Sequence, residues 1–114
     1  MSLFTCSLLS DPDGCLRIAL AGAIDLESRA GLSAALEATG DAAPGRIDAD
    51  LSAVSFFSAE GATFLLRLRR YADEHAIQLL LDAPPSDAVR RVLARVGLND
   101  TFGVVPAAAP LVSA

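Results

Sequence analysis

The chain has 114 residues, 53% of them hydrophobic, with a formal net charge of -5 and no apolar run of the roughly 18 residues that a membrane helix needs. One soluble domain with a real core fits these values, and direct insertion into a membrane does not. The acidic balance argues against nucleic acid, whose phosphates demand a net attraction or a strong basic stripe, and favours basic protein surfaces as partners.

The opening Met1-Ser2-Leu3-Phe4-Thr5 lacks the basic and apolar regions of a secretory signal, so a cytoplasmic location is expected. Leu3 to Leu9 and Cys15 to Ala21 read as strands joined by the turn formers of Ser10-Asp11-Pro12-Asp13-Gly14. A hairpin centred near Pro12 sets Leu9 against Cys15 and Cys6 opposite Ile18, which predicts two small buried thiols and no disulfide. After Gly22-Ala23-Ile24, Asp25 can cap a helix over Leu26 to Ala38, with Leu32, Ala35 and Leu36 at helical spacing, and the loop from Gly40 to Gly45 closes it. A third strand is expected over Arg46 to Leu51. A second helix is expected from Glu60 to His75, with Gly61, Phe64, Leu65, Leu68 and Ala72 along one stripe. Ile77 to Leu81 reads as a strand, Pro84-Pro85 as a stop, and Ser86 with Asp87 as the start of a third helix that reaches Val96 and ends on Gly97 as a left-handed C-cap. Thr101 to Val105 reads as a short edge strand that completes a domain over residues 1–105, and residues 106–114 as a flexible tail.

Alternation inside the strands bears on architecture. Leu16, Ile18 and Leu20 oppose Arg17, and Ile47, Ala49 and Leu51 oppose Arg46, Asp48 and Asp50, so one face of the sheet is expected to be wet. A parallel sheet covered on both faces would read as nearly continuous apolar runs. The pattern predicts an α/β fold in the form of a β-α superhelix: a mostly parallel sheet with an antiparallel N-terminal edge strand and helices mainly on one face. The wet face leaves room for a homodimer.

Gly22-Ala23-Ile24-Asp25, then Asp50-Leu51-Ser52 with Val54 and Phe56, then Val89 to Phe102 occur in an order and spacing that resemble the STAS domain, shared by sulfate transporters and bacterial anti-sigma factor antagonists. The resemblance covers roughly Phe4 to Val104. In that family the loop before the second helix reads hydrophobic-Asp-Ser-(Ser, Ala or Thr)-Gly, and its first Ser accepts phosphate. Laid onto Phe57-Ser58-Ala59-Glu60-Gly61 with Gly61 as anchor, the Asp position is Ser58 and the acceptor position is Ala59, which has no hydroxyl. Three readings of the loop stand: Ser58 is the helix N-cap, or Ser58 is a displaced acceptor, or the loop is a docking surface that never switches. Glu60 suits the helix dipole and places a fixed negative charge beside the acceptor position.

What the resemblance implies is a bacterial regulatory protein that docks on an anti-sigma factor of the serine-kinase type and so releases a sigma factor for transcription. Asp25, Phe57, Ser58, Ala59, Glu60, Gly61 and Arg67 are the candidate contact residues. A STAS-like subunit of a lipid-transport ATPase complex, using the same rim, is the alternative, and a nucleotide-binding sensor is a third class, because backbone donors at a helix start can hold phosphate. An enzyme is not indicated. His75 is the single histidine, and neither a Gly-rich phosphate loop nor a metal-ligand spacing occurs, so no catalytic residue, metal or cofactor is expected.

Overall fold

Gly14 fixes the register of the first hairpin. In the computed structural model, which describes residues 4–81 and 84–97, β1 (Thr5–Ser10) runs antiparallel to β2 (Cys15–Ile24). The Gly14 amide donates to the Asp11 carbonyl at 3.1 Å, the Asp11 amide donates to the Cys15 carbonyl at 2.8 Å, and Gly14 adopts φ +88°. Glycine accepts that conformation without the Cβ penalty, which lets a three-residue loop close the hairpin. The consequence corrects the expected pairing. Leu9 faces Arg17 and Cys6 faces Leu20, whereas a turn centred near Pro12 would set Leu9 against Cys15 and Cys6 against Ile18. In either register the cysteines are not partners, and both are free thiols.

β3 (Arg46–Phe57) lies parallel to β2, and β4 (Gln78–Leu81) parallel to β3, in the order β1-β2-β3-β4. β3 runs on to Phe57 where the sequence pattern predicts an end at Leu51. β2 has 10 residues and β3 has 12, yet Cys15 pairs with Arg46 and Ile24 with Phe57, so β3 carries two extra residues. They fall at two register shifts, between Ala19 and Ala21 and between Gly22 and Ala23 of β2. Each bulge advances the inward phase by one position, so the buried residues run Ile47, Ala49, Leu51 and then Val54 and Phe57. A period of two is not visible across such a stretch.

Asp50 braces the first irregularity. Its Oδ1 accepts from the Ser52 hydroxyl at 2.7 Å and from the Ser52 amide at 2.9 Å, and these bonds, the hydroxyl first, hold the carboxyl below its ordinary value. The folded pKa being the lower one, the resulting stability is present above the unfolded value and is lost as pH falls through the folded value. Asp50→Asn is therefore expected to flatten the acid limb of stability against pH, measured by urea denaturation. An acid limb identical to that of the parent chain would remove Asp50 as a contributor.

The three helices share one face of the sheet. α1 (Arg29–Ala42) supplies Leu32 and Ala35, α2 (Ala59–Glu74) supplies Phe64, Leu65 and Leu68, and α3 (Asp87–Arg95) supplies Val89 and Leu93 to a core that meets Leu16, Ile18, Leu20, Ile47 and Leu51. Crossovers of one hand that add each parallel strand on the same side give this arrangement. The whole expected stripe on α2 is buried. The start of α1 departs from expectation: Asp25 caps a 3-10 turn, Leu26–Ser28, and the α-helix begins only at Arg29. Its end departs too, since Gly40 stays helical and Ala43 takes the left-handed cap at φ 45°, one residue before Pro44. Gly97 does take the positive φ expected beyond α3.

The opposite sheet face is wet only in part. Arg17 and Arg46 are exposed, but Asp48 is 5% exposed, which corrects its expected solvation. The Cys15 thiol donates to Asp48 Oδ2 at 3.4 Å, and Arg46 Nε stands 3.4 Å from Oδ1. A short neighbour on β2 and a long cationic one on β3 thus shield a carboxylate on an otherwise open surface. Burial pushes the Cys15 thiol up from its ordinary value.

No helix among the described residues is long and apolar enough to cross a membrane. The expected strand over Thr101 to Val105 and the tail over residues 106–114 lie outside the described residues.

Candidate functional site

The β2–β3 ladder ends on the pair Ile24 and Phe57, and the Ser58 amide then donates to the Ile24 carbonyl at 3.0 Å. This places the connections that begin with Asp25 and Ser58 side by side at one end of the sheet. Both residues act as caps. Asp25 Oδ1 accepts from the Glu27 amide at 3.0 Å, and the Ser28 hydroxyl accepts from the Asp25 amide at 3.1 Å. Ser58 has extended backbone, and its hydroxyl accepts from the Glu60 amide at 3.3 Å.

Ala59 is the first residue of α2 and is exposed, so its methyl group stands in the open at the start of the helix. Glu60 follows, and its Oε2 accepts from Arg29 Nη2 at 3.1 Å, with the glutamate side chain 24% and the arginine 69% exposed. Such a pair adds little stability. Its effect is on charge, because the carboxylate next to Ala59 is already matched by an arginine from α1. Gly61 is buried, and a Cβ there would stand 2.3 Å from the Phe57 ring. Phe57 is itself in the core, so Phe57 and Gly61 shape the rim from beneath while Phe56 is the exposed aromatic of the pair.

α2 separates two grooves. On the α1 side, Arg29, Leu32, Ser33, Glu60, Phe64 and Arg67 line a groove of ≈ 410 Å³. Arg67 therefore sits with Arg29 and Glu60, further along α2 than the loop itself. On the α3 side lies a groove of ≈ 510 Å³ that includes Phe56, Ala59, Ala62, Leu66, Val92 and Val96. Leu66 and Val96 are absent from the candidate contacts read from sequence. A signal existed for Leu66: it is a large apolar residue off the buried stripe of α2.

Arg69 and Arg70 pair with Asp73 and Glu74 one turn on, as expected of a solvated face. His75 is exposed and stacks on Tyr71 with ring centroids 4.2 Å apart. Neither feature belongs to the rim. Among the described residues no three of His, Cys, Asp and Glu come together as a metal site would require.

The cap reading of Ser58 makes a separable prediction. Ser58→Ala is expected to cost about 0.5–2 kcal/mol and Ser58→Asp, itself a good cap, to keep most of the stability, as read by thermal and urea denaturation. Equal losses in the two variants would show that the hydroxyl is not acting as a cap.

A one-sided mixed sheet whose second long helix starts at an exposed, capped rim defines the architecture of the domain. The chain belongs to the STAS domain family: the family model described as "Mlab, STAS domain" matches residues 7–110. A crystal structure of an anti-sigma factor antagonist from Mycobacterium paratuberculosis is similar with a TM-score of 0.72 and 26% identity, covering 92% of this chain and 87% of that chain. The anti-sigma factor antagonist SpoIIAA in its unphosphorylated form gives a TM-score of 0.72 at 21% identity over 96% of this chain and 88% of that one. The Bacillus cell fate determinant SpoIIAA in its phosphorylated form gives 0.68 at 20% identity over 96% and 91%. At the last two identities the likeness speaks for the fold alone. No curated protein matches the chain. The family and the mixed-sheet fold expected from sequence are both found.

Proposed function

We propose that this chain is a cytoplasmic anti-sigma factor antagonist that binds an anti-sigma factor of the serine-kinase type and stays competent to bind without a phosphorylation switch. The observation that carries the reading is the exposed Ala59 at the first position of α2, where the family's acceptor falls. A hydroxyl there would let a kinase add about -1.5 to -2 units of charge. A methyl group cannot respond. The nearby Glu60 does not stand in for the missing charge, since Arg29 pairs with it. Asp25, Ser58, Ala59, Glu60 and Arg67 form the contact rim in this reading, Phe57 and Gly61 support it, and the protein acts by occupying the anti-sigma factor, with no catalytic step and no cofactor.

A second reading assigns the same rim to a subunit of a lipid-transport ATPase complex. It is favoured by one observation, that the matching family model carries the Mlab description. Titration calorimetry of the full chain against a purified serine-kinase anti-sigma factor and against an ATPase subunit from the same cell separates the two. Saturable binding to the anti-sigma factor, with no mass gain after incubation with ATP, is the expected result. Binding to the ATPase subunit alone would replace the first reading by the second, and phosphate mapped to Ser58 would restore a switch at a displaced position.

A further inference from the structure

Six large apolar side chains are exposed among the described residues, and three of them, Phe56 at 54%, Leu66 at 45% and Val96 at 52%, line one groove between α2 and α3. They come from a strand end, the outer side of one helix and the end of another. Leu66 in particular has no role in the core, since the buried stripe of α2 passes it by. Small residues, Ala59 and Ala62, leave the backbone of α2 open to close approach. Among the described residues Arg95 is the one charged residue in the lining, and it has no hydrogen-bond or ion-pair partner there. A chain with a net charge of -5 therefore presents, at the edge of a mainly apolar groove, a cation that is unpaired among the described residues.

We propose that this groove seats the apolar face of an amphipathic partner helix bearing a carboxylate that meets Arg95. The inference rests on the binding-module reading above and specifies the chemistry of the partner segment. An apolar groove beside a helix takes a helical ligand through residues spaced at i, i+3 or i+4, and i+7. Apolar contact supplies the affinity, and the charge at the rim fixes orientation and excludes basic helices. Ala59 gains a second meaning here. A hydroxyl or phosphate at that position would add a polar group to a wall that already carries Ser58 and Thr63, and the methyl group keeps its own stretch apolar.

The test is selection of a phage-displayed library of helical peptides on the full chain, followed by titration of the enriched peptides. Enriched sequences are expected to carry the helical apolar spacing together with Asp or Glu. Leu66→Glu and Arg95→Glu should each weaken binding by about tenfold or more. The loss at Arg95→Glu should be recovered when the peptide acid is changed to Lys, a coupling that misfolding cannot produce. Leu66→Ala serves as a milder variant, with circular dichroism as the folding control. Enriched peptides indifferent to all three substitutions would overturn the proposal. So would a dimer in sedimentation that Leu66→Glu dissociates, which assigns the groove to a second copy, or nuclear Overhauser contacts from residues 98–114 to Leu66 in the free chain, which assign it to the chain itself. The groove and the antagonist reading fail separately. An anti-sigma factor that binds the Leu66 and Arg95 variants like the parent removes the groove and leaves the antagonist reading, whereas peptides that obey the rules while no anti-sigma factor binds remove the antagonist reading and leave the groove.

Discussion

Gly61→Val is expected to lower stability by about 1–3 kcal/mol, the range for forcing extra methyl groups into a packed site. Three atoms of the Phe57 ring lie within 2.7 Å of where the new Cβ would stand, and the ring is buried, so it has little room to retreat. Helix propensity works in the opposite direction, since glycine inside a helix costs about 0.8–1 kcal/mol relative to alanine. Valine keeps only part of that gain because its branched Cβ is itself restricted in a helix, and the clash prevails. Urea denaturation of the single variant, of Phe57→Leu and of the double variant checks the cause: the double variant should be more stable than the sum of the two single losses implies. Strict additivity would place the strain elsewhere. Binding assays on Gly61 variants need this stability control, because a disturbed Phe57 would deform the rim from beneath.

Ala59→Glu is expected to change stability and binding in opposite directions. An acidic residue in the first turn of a helix gains about 0.3–1 kcal/mol from the macrodipole at an exposed site. The same charge on the proposed contact surface should weaken capture of the anti-sigma factor by tenfold or more, since an unmatched charge at an interface loses its water without gaining a partner. Ala59→Ser tests the other half of the idea. It should bind like the parent until a cognate kinase and ATP are added, then gain the mass of one phosphate at residue 59 and lose affinity. Thermal denaturation, intact-mass analysis and calorimetry read the three quantities. An Ala59→Glu variant that is folded and binds as tightly as the parent would remove the α2 start from the interface.

Much of the candidate site was legible because capping is local chemistry. Asp25 and Ser58 are short oxygen acceptors directly before helical runs, and each accepts from the amide two residues on. The start of α2 next to Ser58 was legible as well, since the sequence pattern put a helix there and the structure begins it at Ala59. The ion pair of Glu60 was not. Its partner Arg29 belongs to α1, and only the packing of α1 against α2 brings them to 3.1 Å. Phe56 and Phe57 show the same limit. Adjacent in sequence and identical in chemistry, they take opposite fates because two bulges set the phase in which β3 reaches the end of the sheet.

The sequence by itself determined the order of the main described strands and helices, the apolar stripe of α2, the helix N-cap residues and the placement of every described helix on one side of the sheet. Those features follow from backbone geometry and from the spacing of apolar residues, which act over one or two turns of chain. Tertiary structure alone decided the hairpin register, which the positive φ of Gly14 moves away from the Pro12-centred pairing, and the continuation of β3 through its two extra residues. It also decided that Asp48 is shielded by Cys15 and Arg46, and that Phe56, Leu66 and Val96 meet in one groove. Each of these outcomes depends on residues distant in sequence, or on a one-residue change of phase that turns a side chain to the other face of the sheet, and local pattern carries no record of either.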